Sequence, residues 1–106
     1  MSISDRYREI VGDVQGLLAG LRAGAGEEES KEIRVIAKGA EILVELADRV
    51  GEIPRIRLEA ELTPVLLKGH SQLDRARLLL EEQGAEDRAA TVWEIEQKIY
   101  RLLNDL

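Results

Sequence analysis

The sequence predicts an all-α protein, a small antiparallel bundle of about four helices, and three observations carry that expectation. Strong helix formers (Ala, Leu, Glu, Arg, Lys, Gln) dominate a chain whose only prolines are Pro54 and Pro64. Apolar residues recur at alternating spacings of three and four, the period of one helix face. The periodic stretches are separated by short Gly-containing segments, and helices of roughly twenty residues joined by short turns pack most economically as an antiparallel bundle. With 106 residues the chain makes one domain, residues 1–106, since single hydrophobic cores are built from about 50 to 200 residues.

The first segment places Ile3, Tyr7, Ile10, Val14, Leu17 and Leu21 on a heptad seam. Ser2 and Asp5 fit a capping box at its start, Val11 and Leu18 widen the stripe, and Ala23-Gly24-Ala25-Gly26 ends it. Glu27, Glu28 and Glu29 sit where negative charge favours a helix N-terminus. A second seam follows at Ile33, Ile36, Ala40, Leu43, Ala47 and Val50, with Gly51 as its stop. Val35, Ile42 and Leu46 add a further apolar strip, so this helix is expected to be covered on two sides and to be central.

Arg55 to Leu62 reads two ways. Ile56, Leu58, Ala60 and Leu62 alternate as in a strand, whereas Ile53, Ile56 and Ala60 fit a helix, the preferred reading; a strand here would make the fold α+β. Thr63-Pro64 resembles an N-cap followed by proline at the first helical position, which opens a third helix with its seam at Leu66, Gly69, Leu73, Ala76 and Leu80. Its small residues would admit a close neighbour. After Gly84, Glu86 and Asp87 open a last helix with Val92, Ile95, Ile99, Leu102 and Leu106 on one side.

Composition removes several function classes. Without cysteine there is no disulfide, thiolate nucleophile or Cys-based metal site. The net charge of −6 opposes the phosphate attraction that underlies nucleic-acid binding. Arg55 to Arg77 is the one mildly basic stretch, and no aromatic side chains interleave it to stack bases. No apolar run approaches the roughly 18 residues of a membrane span, and Asp5, Arg6, Arg8 and Glu9 stand where a signal peptide needs its apolar stretch, so a cytoplasmic location is expected. No cofactor is expected. His70 is the only histidine, and Leu67 occupies the position a Glu-x-x-His metal pair would need, so a surface histidine is the expectation. None of the serines lies in a Gly-x-Ser-x-Gly elbow.

Two features point toward interaction. Gly12, Gly16, Gly20 and Gly24 recur every four residues, although a helical glycine costs about 1 kcal/mol relative to alanine. They read either as a weak, mobile helix or as bare backbone offered to a partner. Trp93 and Tyr100 lie seven residues apart on one side of the last helix. Such a pair closes the edge of a protein's own core or anchors an interface, the first being the commoner role.

One carboxylate pattern has catalytic flavour. Glu29-x-x-Glu32 is followed by Glu45-x-x-Asp48, and four carboxylates can hold Mg²⁺ against a nucleotide polyphosphate. This spacing resembles the all-α nucleoside triphosphate pyrophosphatases of the MazG type, and the resemblance implies a magnesium site on these four residues. It covers about twenty residues. On one unbroken helix, however, Glu29 and Glu45 would stand about 24 Å apart on nearly opposite faces. The leading expectation is therefore a non-enzymatic module that self-associates or binds a partner protein through surplus apolar helix surface. Candidate contacts are Gly12, Gly16, Gly20, Leu17, Leu21, Trp93, Tyr100, Leu102 and Leu106. A subunit of a larger filament or shell would use the same physics.

Overall fold

The computed structural model describes all 106 residues and contains four α-helices and no strand: α1 (Ile3–Ala23), α2 (Lys31–Val44), α3 (Arg55–Glu82) and α4 (Glu86–Asp105). A short 3₁₀ turn, Val50–Glu52, lies between α2 and α3. The expected bundle is therefore formed, and Arg55 to Leu62 is helical. The boundaries of α2 and α3 differ from those the sequence predicts, and each difference has a packing cause.

α1 opens as expected, with the Ser2 side chain accepting the Asp5 amide at 3.1 Å, and gives way at Gly24. Its seam buries Tyr7, Ile10, Val14 and Leu21, joined by Val11 and Leu18. α2 starts at Lys31 behind Ser30, not at the glutamates. Glu29 is instead held by Arg22 of α1 at 2.7 Å, within the α1–α2 connection. At its other end α2 stops at Val44 instead of running to Val50. The last carbonyls of a helix need partners from outside it; here the Ala47 amide of the following turn takes the Val44 carbonyl, and α1 supplies donors to Leu43 and to the turn. The buried Tyr7 hydroxyl donates to the Leu43 carbonyl and Arg8 Nε donates to the Ala47 carbonyl at 3.3 Å. Burial, and secondarily the Glu45 charge, hold the Tyr7 phenol well above its ordinary value, so it remains a donor. Leu46 and Val50 still reach the core through the turn.

The larger correction concerns Thr63-Pro64, which is not a helix start. α3 begins at Arg55 behind Pro54 and continues through Pro64 for 28 residues. An interior proline costs about 3 kcal/mol, while burying one leucine contributes about 1.5 to 3 kcal/mol. A break at Thr63 would detach Leu58 and Leu62 from the line they form with Leu66, Gly69, Leu73, Ala76 and Leu80, all buried. The two leucines offset the proline. Its damage is further limited because Ala60, whose carbonyl loses its amide partner, lies with Pro64 on the exposed side.

The helices form a ring in which α1 packs on α2 and α4, and α3 packs on the same two. α3 has the most extensive packing and spans the long axis: 28 residues at about 1.5 Å each match the 43 Å extent of the molecule. The central helix is thus α3, not α2. The two meet where Gly39 and Gly69 face one another. A methyl on Gly69 would lie 2.8 Å from two Leu43 side-chain carbons, and one on Gly39 would lie 3.3 Å from Gln72 Cβ and 3.7 Å from the Gly69 carbonyl. The small residues of the α3 seam do admit a close neighbour. Gly84, at φ 76°, then turns the chain into α4, with the Ala85 amide reaching back to the Leu80 carbonyl at 2.9 Å.

Two outcomes follow from this packing. Gly69→Ala should lower the unfolding free energy by about 1 to 3 kcal/mol in urea denaturation, because Leu43 must move out of a filled site. Tyr7→Phe should lower it by a similar amount, about 1 to 3 kcal/mol, by leaving the Leu43 carbonyl buried without a donor.

Candidate functional site

α4 reads Ala89, Val92, Glu96, Ile99, Leu103 and Leu106 at spacings of three and four, a seam with one charged member. The helix carries Glu96 into the interior between α3 and α4, where its side chain is 3% exposed and is the only buried charged group in the core. α3 answers with a row of polar residues at matching helical spacing. His70 Nε2 lies 3.5 Å from Glu96 Oε1, and Arg77 Nε lies 3.4 Å from Oε2. Arg77 is itself shared: Nε and one terminal nitrogen bond Asp74 Oδ1 at 3.1 and 2.8 Å, and the other bonds Glu81 at 2.8 Å.

Glu96 Oε2 has no hydrogen-bond donor despite its burial. Burial first, then the neighbouring Asp74 carboxylate, push Glu96 up to about 8, and Arg77 only partly opposes them. Near neutrality Glu96 is therefore predominantly a neutral acid, a donor facing the Asp74 carboxylate. Asp74 is correspondingly held below the usual range, chiefly by its hydrogen bond from Arg77. The two carboxyl groups take up opposite protonation states beside one guanidinium. α1 does not enter the cluster, because its Glu9 and Asp13 pair with Lys98, which lies around the far side of α4.

Outside this cluster, the α3 and α4 surface carries most of the exposed apolar bulk. Ile56, Leu67 and Leu78 on α3 and Trp93 and Tyr100 on α4 are five of the seven large hydrophobics that face solvent; the others are Met1 and Val44. At about 100° per residue, Ile56, Ala60, Leu67 and Leu78 fall within about 40° of one another, an outward stripe on α3. Trp93 and Tyr100 are 51% and 57% exposed, so they do not simply seal the core edge. Between α3 and α4, Arg77, Glu81, Glu86, Ala89, Ala90 and Trp93 line an open groove of about 510 Å³.

The other residues singled out from the sequence fall elsewhere. Leu21 and Leu102 belong to the chain's own core and are unavailable as surface contacts, and Leu17 and Leu106 pack partly against that core. Gly12, Gly16 and Gly20 face solvent, with nothing within 4 Å of a methyl placed on any of them. Glu29 pairs with Arg22, Glu32 accepts from Gln83 at 2.9 Å, and Glu45 and Asp48 are exposed beyond the opposite end of α2. No three carboxylate or histidine side chains are gathered as a metal ion requires, so this chain's fold does not assemble the four into one magnesium site. His70 is half-buried against Glu96 and not a plain surface residue. Glu96 itself escaped the sequence reading, although a lone acid inside an otherwise apolar heptad was the available signal.

Comparison of the chain with protein-family models, with curated proteins and with solved structures finds no match. No helix is long and apolar enough to cross a membrane.

The raised Glu96 sets a pH dependence of definite sign. Its value rises from 4.5 to about 8 on folding, so between those limits the unfolded chain binds fewer protons than the folded one. Stability from this group is complete below about 4.5 and is lost as pH rises toward 8. Glu96→Gln removes the titration. Urea denaturation at about pH 5, 7 and 9 should show the variant gaining on the wild type across this window; parallel pH curves would refute the assignment.

Proposed function

We propose that this chain is a non-enzymatic assembly module that self-associates through the outer face of α3 and α4. The observation that supports the reading is the gathering of Ile56, Leu67, Leu78, Trp93 and Tyr100 on two adjacent helices, while the rest of the surface is nearly free of large apolar groups. Removing such area from water contributes about 25 cal/mol per Å². Exposed Trp and Tyr are also the side chains that most often anchor interfaces. The polar cluster beneath the face holds α3 and α4 in one register, so the face is presented as a fixed surface. The glycine strip of α1 lies outside this surface and is assigned no contact.

The test is solution mass by light scattering coupled to size exclusion, over a range of concentrations. The wild type should exceed the 11.8 kDa of one chain in a concentration-dependent manner. Leu67→Asp combined with Trp93→Asp should return it to that mass with unchanged helical circular dichroism, because both positions are exposed. A wild type that stays monomeric throughout defeats the reading. Gly12→Ala, Gly16→Ala and Gly20→Ala should each leave the mass unchanged and raise stability by up to about 1 kcal/mol; a loss of mass would return the interface to α1.

A further inference from the structure

We infer that the groove between α3 and α4 receives a lysine or arginine side chain from the docked chain, an inference that rests on the assembly reading and names the chemistry of its contact. Its walls are unlike one another in a way that suits such a group. Trp93 supplies a half-exposed indole, Ala89 and Ala90 leave the recess open by being small, and Glu81 and Glu86 supply carboxylates. A cationic head on an apolar stem can satisfy both surfaces at once, its stem against the indole and its charge near the acids.

The one cation already in the groove does not compete for that role. Arg77 spends its donors on Asp74 and Glu81 and also faces Glu96, so its charge is more than matched by its own chain. Arg88, the next cation along α4, has a terminal nitrogen 3.8 Å from the β-position of Gly24, which directs it toward the end of α1 and not into the groove. Glu86 forms no ion pair within the chain, which leaves the site a net acceptor of positive charge. A second copy offers suitable groups in Arg55, Lys68, Arg75 and Arg101, all exposed and all without an internal ion pair.

Trp93 is the only tryptophan in the chain, so its emission reports the groove directly. The probe is N-acetyl-arginine amide, with the neutral isostere N-acetyl-citrulline amide as control, titrated at a dilution where light scattering reads the mass of one chain, so that no second copy fills the groove. The arginine compound should change the emission saturably, and the citrulline compound should not. Glu86→Lys should weaken the response roughly tenfold, the ratio that about 1.4 kcal/mol represents, and added salt should weaken it too. Glu86 is exposed on the first turn of α4, so that variant is expected to fold; Glu86→Gln, expected to weaken the response less, guards against an overall charge effect. Equal responses to both compounds, or no saturation with the arginine compound, overturn the inference even if the chain assembles. Saturable arginine binding by a chain that is monomeric at every concentration would instead sustain the groove as a cation site and defeat the assembly reading alone.

Discussion

The line of buried residues from Leu58 to Leu80 on α3 constrains everything around it. Because Leu58 and Leu62 contribute more by burial than Pro64 costs, the helix does not break at the proline, and a rod as long as the molecule results. α2 and α4 then have a common surface to lie on. α2 comes close because Gly39 meets Gly69 and leaves room for Leu43. That approach also brings the end of α2 under Tyr7, whose hydroxyl takes the Leu43 carbonyl and lets α2 stop at Val44. The proline, the glycine crossing and the shortened α2 are thus one arrangement.

On its other flank α3 meets α4 through a polar contact within an otherwise aliphatic seam. A buried charge pair rarely adds stability over apolar residues of similar volume, because desolvation offsets the attraction. Glu96 reduces that cost by remaining protonated, pushed up to about 8, while Asp74 keeps the negative charge beside Arg77. The contact instead acts on alignment. His70 and Arg77, spaced along α3, flank Glu96 in the observed alignment of α4, one facing each of its carboxyl oxygens. An aliphatic seam alone would tolerate a slip of one turn more readily.

This alignment governs what the outer surface offers. The Ile56 to Leu78 stripe, the two aromatic side chains and the groove beside Arg77 all lie on the exposed sides of α3 and α4. α1 has a different outward character. Its glycines leave bare backbone in solvent, while Lys98 and Arg6 tie its flank to α4 through Asp13 and Asp105.

The sequence alone carried the helical class, the Ser2 cap, most of the buried positions of each helix and the small residues of the Leu66 to Leu80 seam. These follow from spacing and propensity, which are local. It left Trp93 and Tyr100 open between core edge and interface, and it could not separate Leu102, fully buried, from residues available to a partner, because a periodic apolar stripe does not state how much of its width one neighbour covers. Tertiary structure decided the rest. Thr63-Pro64 carries the local signature of a helix start and was overruled by distant burial. Glu45 and Asp48 were separated from Glu29 and Glu32 by the length of α2. Glu96 acquired its protonation state from burial between the helices and, after that, from Asp74 of α3, about twenty positions away in the chain. In each case the deciding energy lies between helices, where a residue's neighbours in the chain are not its neighbours in space.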